Sequence, residues 1–553
     1  MKSLYSLFLF LFFGLSANGQ QTVGLFLNDS LAFNGYTLFA PLSSRTTYLI
    51  DNCGELINSW ESNFSPGVST YLLENGHLLR TARIPSAFNA GGTGGRIEEY
   101  DWDGNLVWAY DYSSADYHQH HDIEPLPNGN ILVLAWEQIS EQEAIDLGRN
   151  PALINNQGLW PESIVELKPI GSDSAEIVWE WHAIDHIVQD FDPNLPNYGN
   201  PADHPEKLDI NYGAGTGSGP GGFADWIHGN GLSYNPDLDQ IILCSRRLHE
   251  FYIIDHSTTT TEAAGSSGGN SGRGGDLLYR WGNPEAYGRG TSADKTLFGP
   301  HNAHWIADGL PGAGHVLVFN NGVDRPAGFI SSVDEIATPL LPDGNYLLDA
   351  NLPYGPDNLA WTYMADPPES FYSSNISGAQ RLPNDNTLIC EGDDGLFFEV
   401  TPDGKEVWRY VSPVNIQGPI TQGNNPAQNS VFRAIRYAPD YPAFAGKDLT
   451  PQGPIELDPL PGMCTLFNAL DEAGSSANHF RLLTNPVAEE LKIESLNGFA
   501  VNYHIFSLAG KHIAGGTAAG YRFDIATGNL PAGMYLLHVS DKSSTAVLRF
   551  VKQ

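Results

Sequence analysis

Cationic residues are scarce in this chain: Lys and Arg total 28 against 64 Asp and Glu in 553 residues, a formal charge of −36. A chain this acidic repels nucleic acid and anionic membrane surfaces, so both drop out as partners. Any local cluster of Arg or His becomes more informative, because the general field opposes anions. Cysteine is nearly missing. Four cysteines exclude a disulfide scaffold and a multi-zinc ribbon, and no CxxC pair occurs. Beyond the N-terminus no stretch approaches about 18 uninterrupted apolar residues, so no membrane insertion is expected. What abounds is punctuation: 59 Gly and 37 Pro point to many turns rather than long helices. With 41% hydrophobic and 11% aromatic residues the chain can build a sizeable core, and disorder is excluded as its main state.

The extreme N-terminus reads as a targeting segment. Lys2 gives a positive start, Leu4–Leu15 is apolar except for Ser6 and Gly14, and Ala17-Asn18-Gly19 offers small residues for cleavage. Residues 1–19 are therefore expected to be a signal peptide. The protein is read as exported.

Two phrases recur along the chain. One is a strand, then Asp-x-x-Gly or Thr-x-x-Gly, then a strand ending in Trp; it occurs at Asp51–Trp60, Asp101–Trp108 and Thr401–Trp408, with looser copies ending at Trp179, Trp281 and Trp361. The other is a turn of the type Leu126-Pro127-Asn128-Gly129-Asn130, leading into an apolar strand. Relatives of it begin at Leu73, Tyr234, Leu310, Leu382 and Tyr437. Asn-Gly and Asp-Gly between short alternating strands signal hairpins, and Trp anchors one sheet on the next. Two hairpins make a four-stranded unit, and six units fit between about Gly24 and Pro461. Repeated sheets of this kind close radially, which predicts an all-β chain built on a six-bladed β-propeller over 20–465. A linker (466–477) and a small C-terminal β-sandwich (478–553) follow.

Equivalent slots of different blades face one central channel. His121 stands five residues before Leu126, His228 five or six before the turn phrase of the third unit, and His301 five before Ile306 in an aligned strand whose turn is lengthened. The same slot holds Ser377 in the fifth unit, about Val68 in the first and about Phe432 in the sixth. Three histidines should thus converge at one end of the channel. Asn230 lies two residues after His228 and is expected on the same strand face. The next strand ends in Arg246-Arg247, and an Arg beside His and Asn offers a fork for a tetrahedral oxyanion. A cationic, donor-rich channel suits a sulfate or phosphate ester better than a metal ion. Trp226, Phe298, Trp305 and Tyr372 are candidates either for an aromatic pocket or for core.

His120-His121-Asp122, Asp225-Trp226-Ile227-His228-Gly229-Asn230 with Ser245-Arg246, Pro300-His301-Asn302-Ala303 and Phe319-Asn320-Asn321-Gly322 resemble the motifs of the arylsulfate sulfotransferases, over roughly residues 30–445. The resemblance implies a six-bladed propeller that moves a sulfuryl group from a phenolic sulfate ester to a phenol, with no nucleotide sulfate donor and no cofactor. It implies a channel histidine that becomes transiently sulfurylated, and by motif that is His301. His121, His228, Asn230 and Arg246 fall on the sulfate-binding groups, and Ser377 on a hydroxyl lining the site. The chemistry is coherent by itself, since a neutral imidazole can attack sulfur while a phenolate leaves. A second histidine, His121 or His228, can protonate that oxygen and later deprotonate the acceptor. Two other readings use the same histidines: a zinc-dependent lyase with three His ligands, and a secreted propeller that binds without chemistry. Arg246 opposes the first, because it places a cation beside a cation.

The tail resembles a different family. Asn485-Pro486, the Gly510-Lys511 turn and Leu530–Tyr535 are similar to the C-terminal sorting domain of type IX secretion substrates. This implies passage through the periplasm of a Gram-negative bacterium to the cell surface or medium, with secretion machinery as the partner of residues 478–553. Cys244 and Cys390 sit at equivalent strand positions and are expected as buried thiols. Cys53, in the first unit, and Cys464, just past the last, are placed for a bridge that clasps the ring.

Overall fold

The computed structural model describes residues 21–213, 222, 224–460, 464 and, in part, 480–552. The expected signal peptide (1–19), the linker (466–477), Asn485-Pro486 and the Gly510-Lys511 turn lie outside the described residues.

Six antiparallel sheets form the blades of a propeller. Their innermost strands are Pro66–Leu72, Tyr117–Pro125, Gly229–Asn235, His301–Trp305, Gly378–Arg381 and Val431–Tyr437, which define blades 1 to 6 in that order. Neighbouring innermost strands touch in an unbroken ring. The ring closes twice. Val431–Tyr437 pairs with Tyr36–Pro41, so the two ends of the propeller chain share blade 6. Gly24–Asn28 adds a fifth, outermost strand to blade 5 by pairing with Glu406–Val411.

Blades 1 and 5 show the order of the two phrases: the Asn-Gly or Asn-Asp turn joins the first and second strands (after Leu73 and Leu382), and the Asp-x-x-Gly or Thr-x-x-Gly turn joins the third and fourth (Asp101–Gly104 and Thr401–Gly404). The unit inferred from sequence is therefore half a blade out of step with the real one. Local chemistry explains both turns. Asp101 Oδ1 accepts from the N–H groups of Asp103 at 3.0 Å and Asn105 at 2.8 Å, while Gly104 takes φ 85°. Asn128 Oδ1 accepts from Asn130 N–H at 2.9 Å.

The six tryptophans that end the outer strands do more than pack. Each indole N–H donates to the next blade around the ring: Trp60 to Asp101 O, Trp108 to Ser174 O, Trp179 to Thr258 Oγ1, Trp281 to Pro356 O, Trp361 to Pro402 O and Trp408 to Asn52 O, all within 2.8–3.1 Å. A large apolar ring seals each blade junction, and its one polar atom finds a partner there.

Cys53 is disulfide-bonded to Cys464, with Cα atoms 5.7 Å apart, while Cys244 and Cys390 are free and buried. The C-terminal strands form a three-stranded and a four-stranded sheet. Alternating residues, Leu491 and Ile493 from one and Val501, Ile505, Leu537 and Val539 from the other, meet in one core.

Candidate active site

The innermost strands are broken at the same end. Their pairing register slips between Pro66 and Thr70, at His120–Asp122, between Gly229 and Gly231, between His301 and His304, and between Val431 and Ala434. Val68, His121, His228, Asn302 and Ser377 have positive φ, between 48° and 96°. Such bulges aim side chains away from the regular pleat and are frequent beside active sites. They also overturn the simple face argument for Asn230. With His228 at φ 52° and a slip just after it, two-residue alternation no longer holds. Asn230 reaches blade 4 instead, donating Nδ2–H to Pro300 O at 2.8 Å, directly before His301. Its Oδ1 is buried with no hydrogen-bond partner among the described residues.

The three histidines do converge. The rings of His121 and His228 are 4.8 Å apart, and His301 is close enough for its charge to act on His121. Each Nδ1 has a partner of a different kind. His301 Nδ1 lies 2.7 Å from Asn321 Oδ1. Asn321 Nδ2 donates to Ser373 O and Ile376 O, so its oxygen must face the imidazole and accept. His301 is thereby fixed with its proton on Nδ1 and its lone pair on Nε2. His228 Nδ1 donates to Asp225 Oδ2 at 2.6 Å. Burial alone would raise the Asp225 carboxyl, but His228 and Arg247 hold it below the ordinary range, as an anion. His121 Nδ1 meets His120 Nδ1 at 2.9 Å.

Burial and then the Arg246 charge push His301 well below the ordinary imidazole range, and the Asn321 bond offsets this only in part. Burial, then the charges of His228, His120, His301 and Arg246, do the same to His121. Both rings therefore stand neutral at physiological pH. Arg246 donates to Ser374 O of the neighbouring blade at 3.3 Å, and among the described residues no carboxylate lies within ion-pair distance of it. Its pKa is itself lowered, by burial and then by Arg247. Arg247 instead turns to Asp225 and to Gly222 O. A half-buried guanidinium with no carboxylate of the described residues at ion-pair distance, beside the neutral rings of His121 and His301, favours an anionic ligand. No three His, Cys, Asp or Glu groups among the described residues are arranged to ligate a metal.

Ser377 occupies the expected slot but not the expected role. Its hydroxyl donates to Ser373 Oγ and accepts from Gly392 N–H, so it ties the backbone of its own blade together. Trp226 and Trp305 belong to the core clusters between blades. Phe298 is buried under Lys295 and Arg325. Of these four, only Tyr372 stays near the site, within the field of Arg246 and with its ring tilted by 53° against the exposed Phe329 at 5.2 Å.

Several participants carry no role in the sequence reading. Asn321 lies in a quoted motif without a role. Glu162 and Asp225 sit in apolar surroundings where a lone carboxylate was the available signal. The run Gly91-Gly92-Thr93-Gly94-Gly95 covers the imidazoles: Gly92 O accepts from His121 N–H at 2.7 Å, and a Cβ on Gly92 would overlap the His121 ring.

Six blades around a channel end that gathers imidazoles and the Arg246 guanidinium define the class as a β-propeller. Residues 32–434 match the family model described as Arylsulfotransferase (ASST). The chain belongs to the arylsulfotransferase family and is a transferase. Residues 484–553 match the Secretion system C-terminal sorting domain, which makes the protein a secreted or cell-surface one. No helix among the described residues is long and apolar enough to cross a membrane. No curated protein matches the chain. Among solved structures it is similar to a protein of unknown function from Bacteroides caccae (11% identity, 73% of this chain and 98% of that chain, TM-score 0.38). It is also similar to a streptogramin B lyase (12%, 77% and 96%, 0.33) and a virginiamycin B lyase from Staphylococcus aureus (10%, 69% and 86%, 0.29).

Proposed function

We propose that the enzyme transfers a sulfuryl group from a phenolic sulfate ester to a phenol in two steps, through a sulfurylated His301. The observation that carries this reading is the state of His301: neutral, within the field of Arg246, with its Nδ1 proton directed at Asn321 Oδ1. Nε2 attacks sulfur, the S–O(aryl) bond breaks, and the electron pair leaves on the phenolate oxygen. Arg246 and the second N–H of Asn230 neutralise charge on the equatorial sulfuryl oxygens, as in phosphoryl transfer. His121 or His228 gives the leaving oxygen a proton, and the same group later takes one from the acceptor. Tyr372 and Phe329 offer a wall for the aryl ring.

A signal peptide at 1–19, transit of a Gram-negative periplasm and export through the type IX machinery by residues 478–553 complete the reading. The experiment is to incubate purified protein with a chromogenic aryl sulfate, with and without added phenol. Phenol-accelerated chromophore release, with sulfate recovered on the acceptor and no nucleotide present, is the expected result. Release that ignores the acceptor, or no release, contradicts it.

A further inference from the structure

Two of the three channel histidines have a fixed tautomer; His121 does not. Asn321 can only accept from His301, and the anionic Asp225 can only accept from His228. His121 instead ends a buried row. Glu162 Oε2 lies 2.7 Å from His120 Nε2, and His120 Nδ1 lies 2.9 Å from His121 Nδ1. Glu162 and His120 are completely buried, His120 is stacked flat on Trp136 at 3.8 Å, and Glu162 Oε1 accepts from Gly229 N–H at 2.6 Å. Glu162 has no other ionic partner among the described residues.

In such a row the position of one proton sets all the others. If Glu162 is protonated it donates to His120 Nε2, His120 Nδ1–H donates to His121 Nδ1, and His121 presents Nε2–H to the channel. If Glu162 is ionised every bond reverses, and His121 presents a lone pair.

Resting on the sulfuryl-transfer reading, we infer that Glu162, His120 and His121 form a proton relay that makes His121 the acid and base of both half-reactions. In the first, His121 Nε2–H passes to the departing phenolate oxygen. His121 Nδ1 takes the proton of His120 Nδ1, and His120 Nε2 takes that of Glu162. The neutral relay becomes an anion with its charge on Glu162, and the phenolate becomes phenol. The acceptor phenol reverses each transfer as its oxygen attacks sulfur. No imidazolium forms within the relay at any stage.

That matters because of what surrounds the row. His121 is buried and lies in the field of Arg246, and any positive charge on His120, His228 or His301 would also oppose a cation there. His120 faces Asp225 and His118, and burial holds it down to about 3. Glu162 faces Asp225, His228 and Glu137, and burial raises it well above the carboxylate range, so the protonated resting form is favoured. Glu162 and His120 would be positioning residues that act through His121.

The test is the Glu162→Gln variant, which keeps an acceptor for Gly229 and a donor for His120 but cannot release a proton. Single-turnover phenol release is followed over a series of aryl sulfates, from nitro- and polyhalophenols to alkylphenols. For alkylphenols the variant is expected to lose roughly 10²–10⁴-fold, the usual worth of general acid catalysis, and far less for nitrophenols. The second half-reaction should recover when the acceptor is acidic enough to arrive as phenolate. His120→Asn should show the same steepening, with melting curves checking that both variants fold. A loss equal for every leaving group, or no loss, overturns the relay while leaving sulfuryl transfer standing. Failure of the wild type to release any phenol removes the underlying reading and the relay with it.

Discussion

Blades 3 and 4 each carry a largely buried histidine, His256 and His301, and the two differ in every respect but the side chain. His256, beyond the third strand, is clasped by Asp239 at 2.7 Å and Glu166 at 3.1 Å. Burial works against its charge, but the two carboxylates outweigh that and raise it to about 9, a permanent cation. At the channel end His301, from blade 4, meets Arg246 of blade 3 and a neutral amide. The first arrangement supports the turns of the blade. The second keeps a lone pair available. Imidazole becomes structural or reactive according to whether a carboxylate or a guanidinium stands beside it.

The contrast can be broken in four ways. His301→Ala removes the lone pair itself and should cost on the order of 10⁴-fold or more in transfer, read as a lower turnover with little change in donor affinity. Arg246→Ala should cost about 10²–10³-fold in kcat/KM, with partial recovery in Arg246→Lys, which restores charge but not the fork. Asn321→Asp makes His301 resemble His256. A carboxylate at that distance raises an imidazole by roughly 1–3 units, so the acidic limb of kcat/KM should move up by that amount. In the wild type that limb lies below the ordinary histidine value of about 6.5, because the pKa of His301 is lowered. His256→Gln should leave turnover unchanged and destabilise the fold by roughly 1–3 kcal/mol near neutral pH. The sign follows from a raised folded pKa: this contribution is full below about 6.5 and is lost as pH rises through about 9, so the two melting curves should converge there.

The propeller was legible because its turns are made by local chemistry: Asp101 and Asn128 bond their own neighbours two and four residues on. Blade phase was not legible, since it depends on pairing residues as far apart as Thr37 and Arg436. The histidine slots could be read from their spacing to the turns. The bulges could not, and they remove the two-residue alternation from which the placement of Asn230 was argued. The hydrogen bonds of Ser377 to Ser373 and Gly392 were not legible, because those partners arrive from neighbouring loop segments. Asn321 and Glu162 escaped because each is defined by a contact 20 or 42 residues away in sequence.

The central claim is that His301 Nε2 carries the sulfuryl group, and it can be observed directly. Wild-type protein mixed with an activated aryl sulfate without acceptor, quenched without acid and measured intact, should gain one sulfuryl mass, map it to His301 and lose it on adding phenol. An adduct that persists in His301→Ala, or transfer at wild-type rate in that variant, would contradict the account.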